Sequence, residues 1–304
     1  MEIMTTLMLF IAAPVLVTLG LFALRLWLQW AFRIRDRRWV DDPERLTILA
    51  ERVRVPTRRG RTLSAAWYLP HPGAPVVVMV HGWGANGSHL LFMVPRLLSE
   101  GLNVAVFDAR CHGQSDDDTF ASLPRFAEDA EAVMGALRAR GHGDFILLGH
   151  SVGAGAVLLT ASRNPGIRAV ISLSAFSHPE PMMNGWLQER GIPRRPLGLI
   201  INRSVEWLIG HRFDDIAPRT TVARIQAPLL LVHGSEDTVV PLWHARRLAQ
   251  ENPRATVLTL PGVQHNDPEG FARHVDPILD WLRPHLRHQD PVELSEHARV
   301  FGTP

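Results

Sequence analysis

Leu147-Leu148-Gly149-His150-Ser151-Val152-Gly153-Ala154-Gly155 decides the fold. An apolar run, Phe145 to Leu148, enters this stretch, and a small-residue, helix-favouring run, Ala154 to Ala161, leaves it. The pattern is strand, G-x-S-x-G, helix. Glycines at 149 and 153 allow a turn so sharp that a residue carrying a Cβ would clash. Such a turn lifts the Ser151 hydroxyl clear of the sheet. It also sets the serine at a helix N-terminus, whose dipole favours developing negative charge.

A serine so placed needs a base, an orienting acid and donors for an oxyanion. The run Pro228 to Val232 reads as a strand buried on both faces, and Asp237 falls just past its carboxyl end. Glu236 is the adjacent competitor, but Asp237 is preferred as the acid; its alternative role is a turn or N-cap aspartate before the helix from Leu242 to Gln250. A further strand, Thr256 to Leu260, leads to Pro261-Gly262-Val263-Gln264-His265, with Asp267-Pro268 as a helix start. Taken alone, His265 would be a solvated loop histidine. The order Ser151, Asp237, His265, each after a strand, supports a Ser-His-Asp triad. For the oxyanion the candidates are the backbone N–H of Val152, directly after the serine, and that of Trp83. Trp83 lies in His81-Gly82-Trp83-Gly84, which follows the strand Val76 to Val80.

These motifs resemble the α/β-hydrolase superfamily, in particular its serine aminopeptidase-like and monoacylglycerol-lipase-like branch. The likeness rests on His81-Gly82-Trp83-Gly84, Asp108 to Ser115, Gly149 to Gly153, His233 to Asp237 and Gln264-His265, spanning roughly residues 50 to 286. In similar proteins the segment matching Asp108 to Ser115 reads D-x-R-G-H-G-x-S. Here Cys111 stands in the first glycine's place, suggesting a slightly different turn. Asp108, Arg110 and His112 are read as structural or pocket-lining. The resemblance implies a serine hydrolase that needs no cofactor and acts on an ester, thioester or amide carbonyl. An aminopeptidase of the same fold is the alternative; Glu180 or Glu189 could then meet the substrate's free amine. A non-catalytic hydrolase-like scaffold is a further alternative.

One motif argues for a different class. Gly82-Trp83-Gly84-Ala85-Asn86-Gly87 is a literal G-x-G-x-x-G after a strand, and Asp108 stands about 20 residues on, where a ribose-binding carboxylate belongs. Against a dinucleotide enzyme, strand-like segments at Arg52 to Val55 and Thr62 to Leu69 precede the motif. That reading also leaves Ser151, Asp237 and His265 without a shared purpose.

The 304 residues, 46% of them hydrophobic, suffice for one large α/β core plus an accessory segment. Every basic residue other than histidine is arginine. The missing lysine excludes Schiff-base chemistry and a Walker A site. A formal charge of +2 is too small to argue for nucleic acid, and the 15 histidines show no metal-ligand spacing. With Cys111 as the single cysteine, no intrachain disulfide can form.

Ile3 to Ala23 is nearly all apolar, and at about 1.5 Å per residue it spans a hydrocarbon core of roughly 30 Å. Apolar character resumes through Trp27, Leu28, Trp30 and Phe32 before Arg33, Arg35, Arg37 and Arg38. A cleaved signal peptide would want a basic n-region and a shorter apolar stretch. Residues 1–32 are therefore expected as a single-pass transmembrane helix in a bacterial-type inner membrane. The arginine flank would hold the catalytic domain on the cytoplasmic side.

From Pro75 onward strands alternate with helices. The predicted architecture is an α/β-hydrolase fold, with a mostly parallel eight-stranded sheet and helices on both faces. A connector at 33–50 precedes the catalytic domain at 51–286, and a polar tail at 287–304 follows it. Between 178 and 226 the alternation breaks, and Leu197, Ile200, Ile201, Val205, Leu208 and Ile209 recur at helical spacing. That insertion is expected as a cap over Ser151. His81, His150, Met182, Met183, Trp186 and Trp207 are the candidates for lining an apolar substrate pocket. The expected partners are a small-molecule acyl substrate and, through the N-terminal helix, the lipid bilayer.

Overall fold

The computed structural model describes residues 2–34 and 50–286. Most of the connector expected at 33–50, and the tail at 287–304, lie outside the described residues. The first element is a single helix, α1 (Glu2–Ala31). An antiparallel pair, β1 (Glu51–Thr57) and β2 (Arg61–Tyr68), then turns at Arg58–Gly60. The α/β alternation begins with β3 (Val76–Val80), α2 (Val94–Ser99), β4 (Asn103–Phe107) and α3 (Leu123–Arg138). It continues through β5 (Phe145–His150), α4 (Val152–Arg163) and β6 (Ile167–Leu173).

Four helices separate β6 from the next strand: α5 (Pro179–Gln188), α6 (Leu199–Ile209), α7 (Phe213–Ile216) and α8 (Pro218–Val222). The sheet resumes with β7 (Leu229–Gly234), α9 (Trp243–Glu251) and β8 (Thr256–Leu260), followed by α10 (Pro268–Arg273) and α11 (Val275–Leu286). The eight strands form one sheet in the order β1-β2-β4-β3-β5-β6-β7-β8. Only β1–β2 and β2–β4 are antiparallel.

The strand β3 explains why the sheet is covered on both sides. All five of its residues are inaccessible to solvent. Val76, Val78 and Val80 enter one apolar cluster with α3 and α4, while Val77 and Met79 enter the other with α2 and α11. Alternate side chains point to opposite faces, so a strand sandwiched between helices must be apolar at every position. Each buried valine contributes roughly 1.5–3 kcal/mol relative to exposure. Every parallel strand then ends at the same edge of the sheet, and the loops that leave it meet there.

The single-pass transmembrane helix expected at residues 1–32 is not found. Among the described residues, no helix is long and apolar enough to cross a membrane. Part of that apolar stretch is instead occupied by protein. Leu24, Trp27, Leu28 and Phe32 pack with Leu187 of α5, Ile201 and Val205 of α6 and Phe213 of α7, leaving Leu28 1% exposed. The side chains of residues 1–14 lie outside the described residues.

Candidate active site

Ser151 sits between β5 and α4 with φ 56 and ψ −118, a left-handed conformation that a residue with a Cβ adopts only under constraint. Its neighbours supply that constraint. A Cβ on Gly149 would lie 2.3 Å from the Gly153 carbonyl oxygen, and one on Gly153 would lie 2.2 Å from that of Val80. Close backbone approach, rather than a positive φ, therefore fixes glycine at both positions. The Ser151 N–H donates to the Leu173 carbonyl at 2.9 Å, tying the turn to β6.

The loops after β7 and β8 bring the other two residues to this serine. The Ser151 hydroxyl donates to His265 Nε2 at 2.9 Å, and His265 Nδ1–H donates to Asp237 Oδ2 at 2.7 Å. Asp237 Oδ1 accepts from the N–H groups of Val239 and Val240 at 3.0 and 2.7 Å. Burial opposes ionisation of Asp237. The bonds from His265 and the Val240 amide outweigh it and hold the carboxyl below its ordinary range. Asp237 is buried while its competitor Glu236 is exposed.

Three further histidines near the site, His150, His81 and His233, are built into the scaffold, and burial lowers the pKa of each of them. His150 Nε2–H donates to the backbone carbonyl of His265 at 2.9 Å, so the residue beside the serine also holds His265. Burial, followed by the nearby His265, pushes His150 down to about 4. His81 Nδ1 donates to Gly82 O and its Nε2 accepts from Ala109 N–H; burial keeps it well below the usual histidine range. Near the end of β7, His233 Nε2–H donates to Val240 O at 2.5 Å, bracing the segment that carries Asp237. The G-x-S-x-G pattern gives no sign of the His150 bond, and a single histidine near a strand end gives none of the His233 bond.

Trp83 and Val152 both line a cavity of about 330 Å³ together with Ser151. Val152 is the first residue of α4, where backbone N–H groups have no partner within the helix. The loop after β3 passes close by: a Cβ on Gly82 would lie 3.3 Å from that of Ser151. Gly84 N–H donates to His112 Nε2 at 3.2 Å, which anchors this loop.

Met182, Met183 and Trp186 line the cavity as expected. Trp207 does not. It is 73% exposed, on the face of α6 turned away from the serine. Its spacing from Ile200 and Ser204 fits a helix, but α6 is apolar on more than one side, so periodicity alone could not tell inside from outside. His81 and His150 line a second cavity of about 370 Å³ on the His265 side, shared with Trp83. Sequence reasoning missed Leu28, Phe32, Phe213 and Val239, which also face Ser151's cavity. The last three lie in a helix end, a four-residue helix and a loop, too short for a periodic signal.

Neither competing reading keeps its key residue. The Asp108 carboxylate accepts from Gly87 N–H at 2.8 Å and from Gln114 N–H at 2.7 Å, joining two loops instead of facing a ribose. Glu180 pairs with Arg194 and Glu189 with Arg190, and neither lines the cavity. Arg110 is buried among Asp129, Glu128 and Asp118. Cys111 takes φ 67, the left-handed conformation that a glycine adopts freely. Among the described residues, no group of three or more His, Cys, Asp or Glu side chains could hold a metal ion.

Residues 77–274 match the model of the alpha/beta hydrolase family. The chain belongs to this family. Among similar hydrolase-family proteins is a monoacylglycerol lipase of Mycolicibacterium smegmatis, 27% identical over 69% of this chain and 89% of the relative. An uncharacterized protein of Mycobacterium tuberculosis is 30% identical over 76% of this chain and 77% of its own length. In three dimensions the chain is similar to an esterase of Pyrococcus furiosus, with TM-score 0.66 and 20% identity. That match covers 84% of this chain and 98% of the esterase. This hydrolase-family chain therefore shares its fold with proteins of very different sequence.

Proposed function

We propose that this protein is a serine hydrolase acting on an apolar acyl ester. Ser151 attacks the carbonyl while His265 Nε2 takes its proton. Asp237 fixes the imidazole tautomer and stabilises the imidazolium that forms. The N–H groups of Trp83 and Val152 hold the oxyanion, each such donor being worth about 2.7–4 kcal/mol in the transition state. His265 returns its proton to the leaving alcohol, then activates a water that releases the acyl group from Ser151. The observation that carries this reading is the pair of hydrogen bonds joining Ser151, His265 and Asp237, with Ser151 lining a mostly apolar cavity.

Met182, Met183 and Trp186 support an acyl chain or similar group as the occupant. The monoacylglycerol lipase among the similar proteins agrees with that class. Contact with a lipid surface is part of the proposal. It is supported by the exposed Leu16, Leu19, Phe22, Leu26 and Trp30 of α1, on the helix whose end reaches this cavity.

A fluorophosphonate probe and a series of p-nitrophenyl esters test it, beside aminoacyl-anilides. The expected result is covalent labelling that disappears in Ser151→Ala, with ester cleavage reduced about 10⁵-fold. Absence of labelling in the folded wild-type protein would remove the nucleophile. Cleavage of anilides but not esters would move the reading to an aminopeptidase.

A further inference from the structure

The N-terminal helix does more than lead into the catalytic domain. Its final turn closes with the Phe32 N–H donating to Leu28 O at 3.0 Å, which puts Leu28 and Phe32 on one face. That face is turned to the cavity: Leu28, Ala31 and Phe32 all line it beside Ser151 and Val152. The Phe32 ring stacks on Trp186 of the cap, with centroids 4.8 Å apart and planes 27° apart. Its edge meets Trp83, the loop residue next to the serine, at 6.3 Å. Trp27 touches Trp186 as well, at 6.1 Å. One helix end thus touches both the cap and the loop after β3.

A helix that served only as a leader or anchor would have no need to bury Leu28 beneath the cap or to stack Phe32 across it. We propose that the last two turns of α1, through Leu28, Ala31 and Phe32, form one wall of the acyl-binding cavity and set the length of acyl chain it accepts. This rests on the serine-hydrolase reading above. It adds a specificity element from a segment that precedes the catalytic domain by some twenty residues. Other walls include Met182, Met183 and Trp186 of α5, Val205 and Leu208 of α6 and Phe213 of α7.

The test uses the full chain, comparing kcat/KM across p-nitrophenyl esters from acetate to laurate for wild type, Phe32→Ala and Ala31→Phe. Phe32→Ala removes bulk from the wall and Ala31→Phe adds it, so the preferred chain length should move in opposite directions. One methylene in a fitted apolar pocket is worth about tenfold or more, so the laurate-to-acetate ratio should shift by at least about tenfold between the two variants. A merely structural role for α1 would lower all esters together and leave the ratios in place. That outcome, or a preferred length unmoved in both variants, overturns the proposal. Phe32→Leu, which keeps most of the volume, guards against misfolding of the alanine variant and should return the profile toward wild type. A wild-type protein inert to every ester and to the probe would remove the hydrolase reading itself, a result distinguishable from an active enzyme with unmoved selectivity.

Discussion

The floor and the roof of the cavity over Ser151 are built by different means. The floor consists of strand ends and tight turns, and directional hydrogen bonds hold its three aligned side chains. Ser151 is held at positive φ by Gly149 and Gly153, Asp237 by two backbone amides, and His265 by the ring of His150. The roof consists of α5, α6, α7 and the end of α1, joined by apolar side chains. Its few polar ties include Asn202 to Asn184 and Glu206 to the Phe213 N–H. A floor made of directional bonds fixes geometry to fractions of an ångström, as proton transfer requires. A roof made of non-directional packing can change volume without disturbing that geometry. Substitutions in the floor should therefore change rate or folding, and those in the roof should change which substrate is chosen.

The largest effect expected from a substitution that leaves the serine in place is that of Asp237→Asn. The amide side chain would present the wrong group to His265 Nδ1 and favour the inactive tautomer. Ester turnover should fall by about 10⁴-fold with little change in KM. Steady-state kinetics checks this. A loss below about tenfold would mean that the floor does not work as a connected relay.

Gly153→Ala probes the floor through stability. A Cβ there would sit 2.2 and 2.4 Å from the carbonyl oxygens of Val80 and His81, both backbone atoms that cannot swing away. Relief requires moving α4 off β3, at a cost of about 3 kcal/mol. Tm should fall by roughly 5–10 °C in thermal unfolding followed by circular dichroism. An unchanged Tm would show that the turn is softer than its contacts imply.

That turn was also what made the fold readable. Gly149 and Gly153 mark a close approach of backbones that no other residue tolerates, so the motif carries its three-dimensional context with it. The strand β3 was equally legible, because a run of five apolar residues between turn signals is what a doubly covered strand needs. Asp237 and His265 followed from chain order and strand ends. The roof was far less legible. An apolar stretch such as Trp27 to Phe32 suits a bilayer and a protein interior equally, and sequence carries no term that distinguishes them. Phe213 and Val239 come from segments too short to show a period. His150 was placed as a pocket candidate, but its bond to His265 O crosses 115 positions and has no local signature.

Acid should act on the buried histidines. Burial pushes both His150 and His244 to about 4, so each stays neutral in the folded protein while the unfolded chain takes up a proton below about pH 6.5. Between those values the unfolded state binds more protons, and stability falls as pH falls. Buried His81 is shifted the same way. Asp129 opposes them: burial raises it to about 6 despite Arg110, so its folded form keeps a proton that the unfolded form releases. The histidines outnumber it, so stability should fall on balance from pH 7 to 4.5. Tm measured across that range should drop by several degrees, and a rise would show that the carboxylate dominates.

The smallest effect is the sharpest test of where the roof ends. Trp207 belongs to α6, as do Val205 and Leu208, yet those two line the cavity and Trp207 points outward. If packing alone defines the roof, Trp207→Ser should leave ester turnover and chain-length preference within about twofold of wild type. It should also change stability by less than about 0.5 kcal/mol, because an indole already in solvent gives up little on removal. Its neighbours on the outer side, Leu199 and Ile200, are exposed too, and with Thr18, Leu21 and Phe22 of α1 they line a separate apolar groove. Binding to lipid vesicles is therefore the measurement on which this residue should register. A shift in chain-length preference would instead require α6 to rotate during catalysis, bringing Trp207 inward and making the roof a moving part.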